Sequence, residues 1–265
     1  MNTWVYDIET YPNCFQIVFY NIKTFQWKVF EISDRLNEED ELIKFLDTKP
    51  SLIGFNNINF DYPLLHNTIL RRKGNTALSI YKEATRIIEA EYSAIWDNQV
   101  KIPQLDLYKI WHYDNKNKRT SLKWLEFAMR SKDVRDLPYK PGTYLTEEQM
   151  DTLLSYCKHD VKETYNFLQH SLKHIELRKF YTSQEGINLM NASEVKLAKE
   201  VFAKYLSKEM GITTKAIKQL RTFRSDIPIK DIIFKYIKFN NYNNQAVLDY
   251  FNNFTGENRK YLKAD

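Results

Sequence analysis

Apolar residues open the chain in three consecutive runs, over residues 3–8, 14–20 and 25–32, each rich in Val, Ile, Phe, Tyr and Trp. Such runs predict strands, and Pro12-Asn13 and Asn21 to Thr24 supply the turns between them. Over residues 38–48 the period changes, and Leu42, Ile43 and Leu46 fall on one side of a short amphipathic helix. Ser51 to Phe55 is a compact apolar run that reads as a buried strand. Strands, a helix and another strand in that order predict an α/β architecture, a mixed sheet with helices packed on it.

Further on, the Asn-rich stretch 56–59 marks a turn, and Asp61 ahead of Pro63 reads as the N-terminal boundary of a helix running to about Arg72. A second helix is expected from Ile80 to Trp96, and a strand over 100–108 that ends at Asp106. Ser121-Leu122-Lys123-Trp124-Leu125 opens a short helix capped by Thr120 or Ser121. Residues 131–145, with Pro138, Pro141 and Gly142, read as a loop. Thr146 and Gln149 have capping-box spacing, so a long helix starts there and runs through Leu153, Cys157, Val161, Tyr165 and Leu168. Residues 176–265 look largely helical and polar, with apolar periodicity in 193–209 and 227–238. Six Asn between Asn240 and Asn253 suggest turns or a mobile segment.

Composition adds less than pattern. With 265 residues the chain is long enough for one large domain and an appendage, and 15% aromatics allow a large core. No apolar run approaches the roughly 18 residues of a membrane span, and the N-terminal stretch lacks a basic region followed by an apolar core, so neither a membrane span nor a signal peptide is expected. The two cysteines, Cys14 and Cys157, read as buried thiols, which favours an intracellular, cytoplasmic location. The five His form no zinc-ligand spacing. Residues 171–265 hold 17 Lys/Arg against 10 Asp/Glu, whereas the first 170 residues hold 22 against 24. A basic lobe beside a slightly acidic one suits a grip on a polyanion, although a solvated lysine-rich surface has the same composition.

The candidate chemistry is carboxylate chemistry. In the first strand Asp7 and Glu9 are two residues apart, so they share a face, roughly 7 Å apart along the chain. Asp61 stands at a helix start beyond the end of a buried strand, where open α/β sheets usually bind ligands. Tyr156 and Asp160 are four apart on the long helix and so project from one face. Four acids without His or Cys select hard cations, Mg²⁺ or Mn²⁺. They suffice for two ions about 4 Å apart, the arrangement for in-line attack on a phosphodiester. Tyr156, an unperturbed phenol near pKa 10, would orient the attacking water rather than deprotonate it. Asp106 is a rival fifth acid with a strand-end structural role as its simpler reading.

Here the sequence resembles the DEDDy 3′→5′ exonucleases of the ribonuclease-H-like fold, in particular the proofreading domain of family B DNA polymerases, phage enzymes included. Asp7-Ile8-Glu9-Thr10 matches the first motif of that family. Gly54 to Leu65 matches the second, which reads Asn, a short gap, Phe or Tyr, then Asp. Tyr156-x-x-x-Asp160 matches the third, and Ser121 to Leu125 is similar to a shorter Ser/Thr-Leu-x-x-hydrophobic motif. The position that is His in a sister subfamily is Ser155 here, which selects the tyrosine version. The resemblance covers residues 1–175 and implies a ribonuclease-H-like exonuclease domain there, with 176–265 a mainly helical basic extension similar to a linker toward a polymerase palm.

Carried over, it implies metal ligation by Asp7, Glu9, Asp61 and Asp160, two Mg²⁺ or Mn²⁺ ions, and Tyr156 on the water. It further implies a cleft for a single-stranded DNA 3′ end lined by Thr10, Asn56 or Asn57, Phe60, Ser121 and Leu122, with Lys140 a candidate lysine ahead of the third motif. The D-x-x-S-L-Y-P-S and D-T-D motifs of a palm domain are absent, so polymerase activity is not expected. A polymerase domain or subunit is the expected partner. An RNA 3′ exonuclease of the same fold and a non-catalytic DNA-holding module are the competing readings.

Overall fold

The computed structural model describes residues 2–90, 94–221 and 233–253. They divide into two compact units, Met1–Phe202 and Ala203–Asp265.

The first unit is built on five strands: β1 (Thr3–Tyr11), β2 (Cys14–Asn21), β3 (Trp27–Ser33), β4 (Ser51–Gly54) and β5 (Gln104–Asp106). Their order across the sheet is β3-β2-β1-β4-β5. The first three form an antiparallel meander, and β4 and β5 join β1 in parallel, so the sheet is mixed. Between the strands run α1 (Glu39–Asp47), α2 (Asp61–Asn67) and α3 (Ala77–Glu89); after β5 come α4 (Leu107–Ile110), α5 (Leu122–Ala128) and the 39-residue α6 (Glu147–Glu185).

Strand alternation sorts β1 onto two faces. Trp4, Tyr6 and Ile8 join Phe15, Ile17 and Phe19 of β2 in a core closed by Leu42 and Leu46 of α1 and Ile80, Ala84 and Ile87 of α3. Val5 points the other way, with Val18 and Tyr20, into a second core closed by Leu125 of α5 and Cys157, Val161, Leu168 and Ile175 of α6. Every residue of β2 is buried, as befits a strand covered on both faces. Asp7 and Glu9 share the face of Val5 and therefore look toward α6.

Helix α6 begins at the expected capping box: the Thr146 hydroxyl accepts from the Gln149 N–H, and the Gln149 side chain accepts from the Thr146 N–H. It ends at Gly186, which takes the left-handed conformation (φ 62°) that a side chain would strain. Helix α6 continues unbroken past residue 175. Arg178 is fully buried there and donates to the carbonyls of Ile110, His174 and Ala192, binding residues 176–192 to the first unit.

Several boundaries differ from the pattern-based reading. The helix at Asp61 ends at Asn67, not Arg72, where the chain turns over Thr68. The helix expected over 80–96 occupies Ala77–Glu89, started by a Thr76–Ser79 capping box; residues 91–93 lie outside the described ones. The strand expected over 100–108 shortens to three residues, preceded by Pro103, which has no N–H to donate.

In the second unit α7 (Glu194–Met210), within which the division falls, is followed by α8 (Thr214–Gln219) and α9 (Tyr242–Asn252). The Asn-rich stretch is thus largely helix rather than a run of turns, because Asn241 caps it by accepting from the N–H groups of Asn243 and Asn244. Of the apolar stretch 227–238, residues 233–238 are not helical and the earlier ones lie outside the described residues. No helix of the described residues is long and apolar enough to cross a membrane.

Candidate functional site

Three of the four singled-out acids meet where β1 passes under α6. Asp7, Glu9 and Asp160 each place a carboxylate oxygen within 4.8 Å of the other two, a grouping able to hold a metal ion. Helix and strand are held in register by Cys157, one turn from Asp160, whose Sγ lies 3.7 Å from the carbonyl oxygen of Asp7 and 3.9 Å from its Oδ2. Cys157 and Cys14 are both free and buried.

Asp61 reaches the same region from across the sheet. β4 pairs with β1 only from Thr3 to Val5, so β1 outruns it. Beyond that point the backbone N–H of Ile8 favours the charged forms of Asp7 and Asp61, against their burial. Asp61 is 5% exposed. It is the first residue of α2 rather than its cap: Phe60 holds the N-cap position without a side-chain bond.

Crowding dictates the protonation of these groups. Burial, then the charge of Asp61, raises Asp7 well above the usual carboxylate range. Burial followed by the charges of Asp7, Asp160 and Asp61 does the same to Glu9. Burial pushes Asp61 up to about 7, against the pull of the backbone N–H groups of Asp61 and Ile8. Burial and Asp7 push Asp160 up to about 8, although a hydrogen bond from the Tyr156 hydroxyl draws it down. Tyr156 is itself raised by burial and by the charges of Asp160 and Glu9, so its phenol keeps its proton and serves as a donor. Like charges gathered in one place are costly without a cation, and oxygen-only donors are the set that hard divalent ions take.

Glu126 and His159 were not legible as site residues. Glu126 comes from α5 and is buried; its Oε2 lies 3.1 Å from His159 Nε2. Together with Asp160 the two form a second group whose ligand atoms lie within 4.8 Å of one another. The available signal was their position: Glu126 one residue after the Ser121–Leu125 motif, His159 one before Asp160.

Asp106 takes the structural role. It is fully buried and accepts from the N–H groups of Asn56 (2.9 Å), Ile58 (3.2 Å) and Tyr108 (2.9 Å), fastening the Asn-rich loop to the end of β5. Burial raises it to about 6, against those three bonds. Asn57 is fully buried as well, its amide donating to Gln104 Oε1 at 2.8 Å, which removes it from any strand-binding surface. A Cβ added to Gly54 would stand 2.6 Å from the Asn57 Cβ, so this inward turn requires the glycine. Asn56 is the partly exposed one, with φ 63° and its Oδ1 accepting from Asn59.

Thr10, Phe60 and Leu122 are half-buried and Ser121 is exposed, its hydroxyl capping α5 by accepting from the Trp124 N–H. Lys140 is exposed on the 131–145 loop, which Tyr11 ties to the end of β1 by donating to the Tyr139 carbonyl at 2.7 Å. A cavity of about 780 Å³ lies at the other end of the sheet, where β1, β4 and β5 begin at Thr3, Ser51 and Gln104, and none of the four acids lines it.

The chain matches no protein-family model and no curated protein.

Proposed function

We propose that the protein is a Mg²⁺- or Mn²⁺-dependent 3′→5′ exonuclease that hydrolyses phosphodiesters at single-stranded or frayed DNA 3′ ends, as part of the proofreading machinery of a DNA polymerase. The observation that carries this reading is the convergence of Asp7, Glu9 and Asp160 within 4.8 Å, from residues up to 153 positions apart. The mixed sheet with helices on both faces agrees with the ribonuclease-H-like fold that the motifs imply.

The donor set fits hard divalent ions: carboxylate oxygens from β1, α2 and α6, all raised by burial, and Asp7, Glu9 and Asp160 further by the charges of neighbouring acids of the set. Bound there, such ions would supply a nucleophilic water at neutral pH and charge for the departing 3′ oxygen. Asp7, Glu9 and Asp160 would hold that charge on the β1–α6 side and Asp61 on the α2 side. The Tyr156 phenol, kept protonated, would hold the water's orientation through hydrogen bonding rather than remove its proton. Ser121, Leu122, Phe60, Thr10 and Asn56 would border the terminal nucleotides.

The test is an end-labelled digestion ladder on matched DNA and RNA oligonucleotides, single- and double-stranded, with and without Mn²⁺. Stepwise shortening of single-stranded DNA from its 3′ end, abolished by chelator, is expected. Preferential shortening of RNA would move the assignment to an RNA exonuclease, and binding without shortening would leave a DNA-holding module.

A further inference from the structure

Helix α5 turns two aromatic rings to solvent. Trp124 and Phe127 are 63% and 67% exposed and stack on each other, centroids 5.6 Å apart and planes 18° from parallel. Large rings at i, i+3 normally face a core, and here the core-facing side of the helix is already filled by Leu125 and Glu126. That inner side belongs to the carboxylate site, since Glu126 approaches Asp160 and His159 within 4.8 Å. The segment around the rings is basic too. Lys116, Lys118, Arg119, Lys123, Arg130 and Lys132 are all exposed, and the one acid from residue 115 to 132 is Glu126, turned inward to His159. Lys123 is paired with Asp136, and Arg119 hydrogen-bonds the Tyr108 hydroxyl.

We propose that Trp124 and Phe127 form a stacking platform for the bases of single-stranded DNA, with the surrounding lysines and arginines on its phosphates. Every base has a π-face and every nucleotide a phosphate, so paired rings within a cationic surface grip a single strand without reading its sequence. The ligand class rests on the nuclease reading; the platform adds where the strand runs outside the carboxylates. Ser121, at the cap of α5, lies three residues before Trp124 on the same exposed basic segment.

The test is equilibrium binding of the full chain, in chelator, to a 5′-labelled oligothymidylate of about 12 nucleotides and to an abasic strand of equal length and charge. The wild type should prefer the strand with bases. Trp124→Ala/Phe127→Ala should lose about tenfold in affinity for that strand and bind both alike. Trp124→Phe, which keeps a ring, should retain the preference. A double variant with the wild-type preference, or a wild type that binds both strands equally, overturns the platform. Because both rings are exposed, their removal opens no cavity, and a thermal melt checks that the variant is folded. Catalysis plays no part in this assay, so the two readings fail separately. A wild type with the base preference and no digestion of DNA sinks the nuclease alone; one that digests DNA while the double variant keeps the preference sinks the platform alone.

Discussion

Glu126 on α5 and His159 on α6 meet at 3.1 Å between Oε2 and Nε2, beside the carboxylate of Asp160. Glu126 is buried, so the imidazole is the group that satisfies it. This contact joins the helix bearing the Ser-Leu motif to the helix bearing the third acid.

Removing the imidazole should therefore cost stability. His159→Ala leaves a carboxylate buried without its partner, at a cost of about 1–3 kcal/mol. In urea titrations the additional change Glu126→Gln should recover part of that loss. Strict additivity of the two changes would mean that the pair is not coupled.

Asp7 should trade stability for activity. In Asp7→Asn the repulsion from Asp61 and Glu9 is relieved, so the metal-free protein should melt higher than wild type. Hydrolysis should fall by at least about 10²–10³-fold, the usual loss on removing one preorganised electrostatic partner. Mn²⁺ should raise the melting temperature of wild type and do so less in the variant. Equal metal-induced shifts in the two proteins would remove Asp7 from the ligand set.

The acids also set a pH dependence. Asp61 and Asp160 hold folded-state values raised to about 7 and about 8. The unfolded chain releases those protons near pH 4, so between about pH 4 and 8 the folded state binds more of them. Stability in chelator should therefore fall as pH rises through that window. Asp61→Asn/Asp160→Asn should flatten the slope; a slope identical to wild type in melts across this range would contradict the raised values.

Asp106 should behave as a fastener. Asp106→Ala leaves three N–H groups, those of Asn56, Ile58 and Tyr108, without their acceptor. A loss of about 2–4 kcal/mol is expected from denaturation curves. Activity should drop as well, since the loop it fastens leads into Asp61. A variant as stable as wild type would show that the loop is held by other contacts.

Much of the site was legible because short-range backbone geometry governs it. The two-residue period of β1 puts Asp7 and Glu9 on one face, and the helical period of α6 does the same for Tyr156 and Asp160. The Thr146–Gln149 box marks the start of α6 for a similarly local reason, since its two bonds span three residues. Which way those faces turn is another matter. Asn56 and Asn57 are adjacent and chemically identical, yet Asn57 is enclosed by Gln104 and Gly54 while Asn56 stays partly open. Asp61 looked like a cap, whereas the cap position is held by Phe60, and the strand-end role of Asp106 depends on N–H groups of Asn56 and Ile58, some fifty residues away. From the chain alone came the acids and the local faces they occupy. Tertiary packing decided that β1 turns those faces to α6, that Glu126 joins His159, and that residues 176–192 stay with the first unit through Arg178. Periodicity is a property of neighbouring peptide units, whereas burial and partner choice are set by elements that meet only once the sheet has closed.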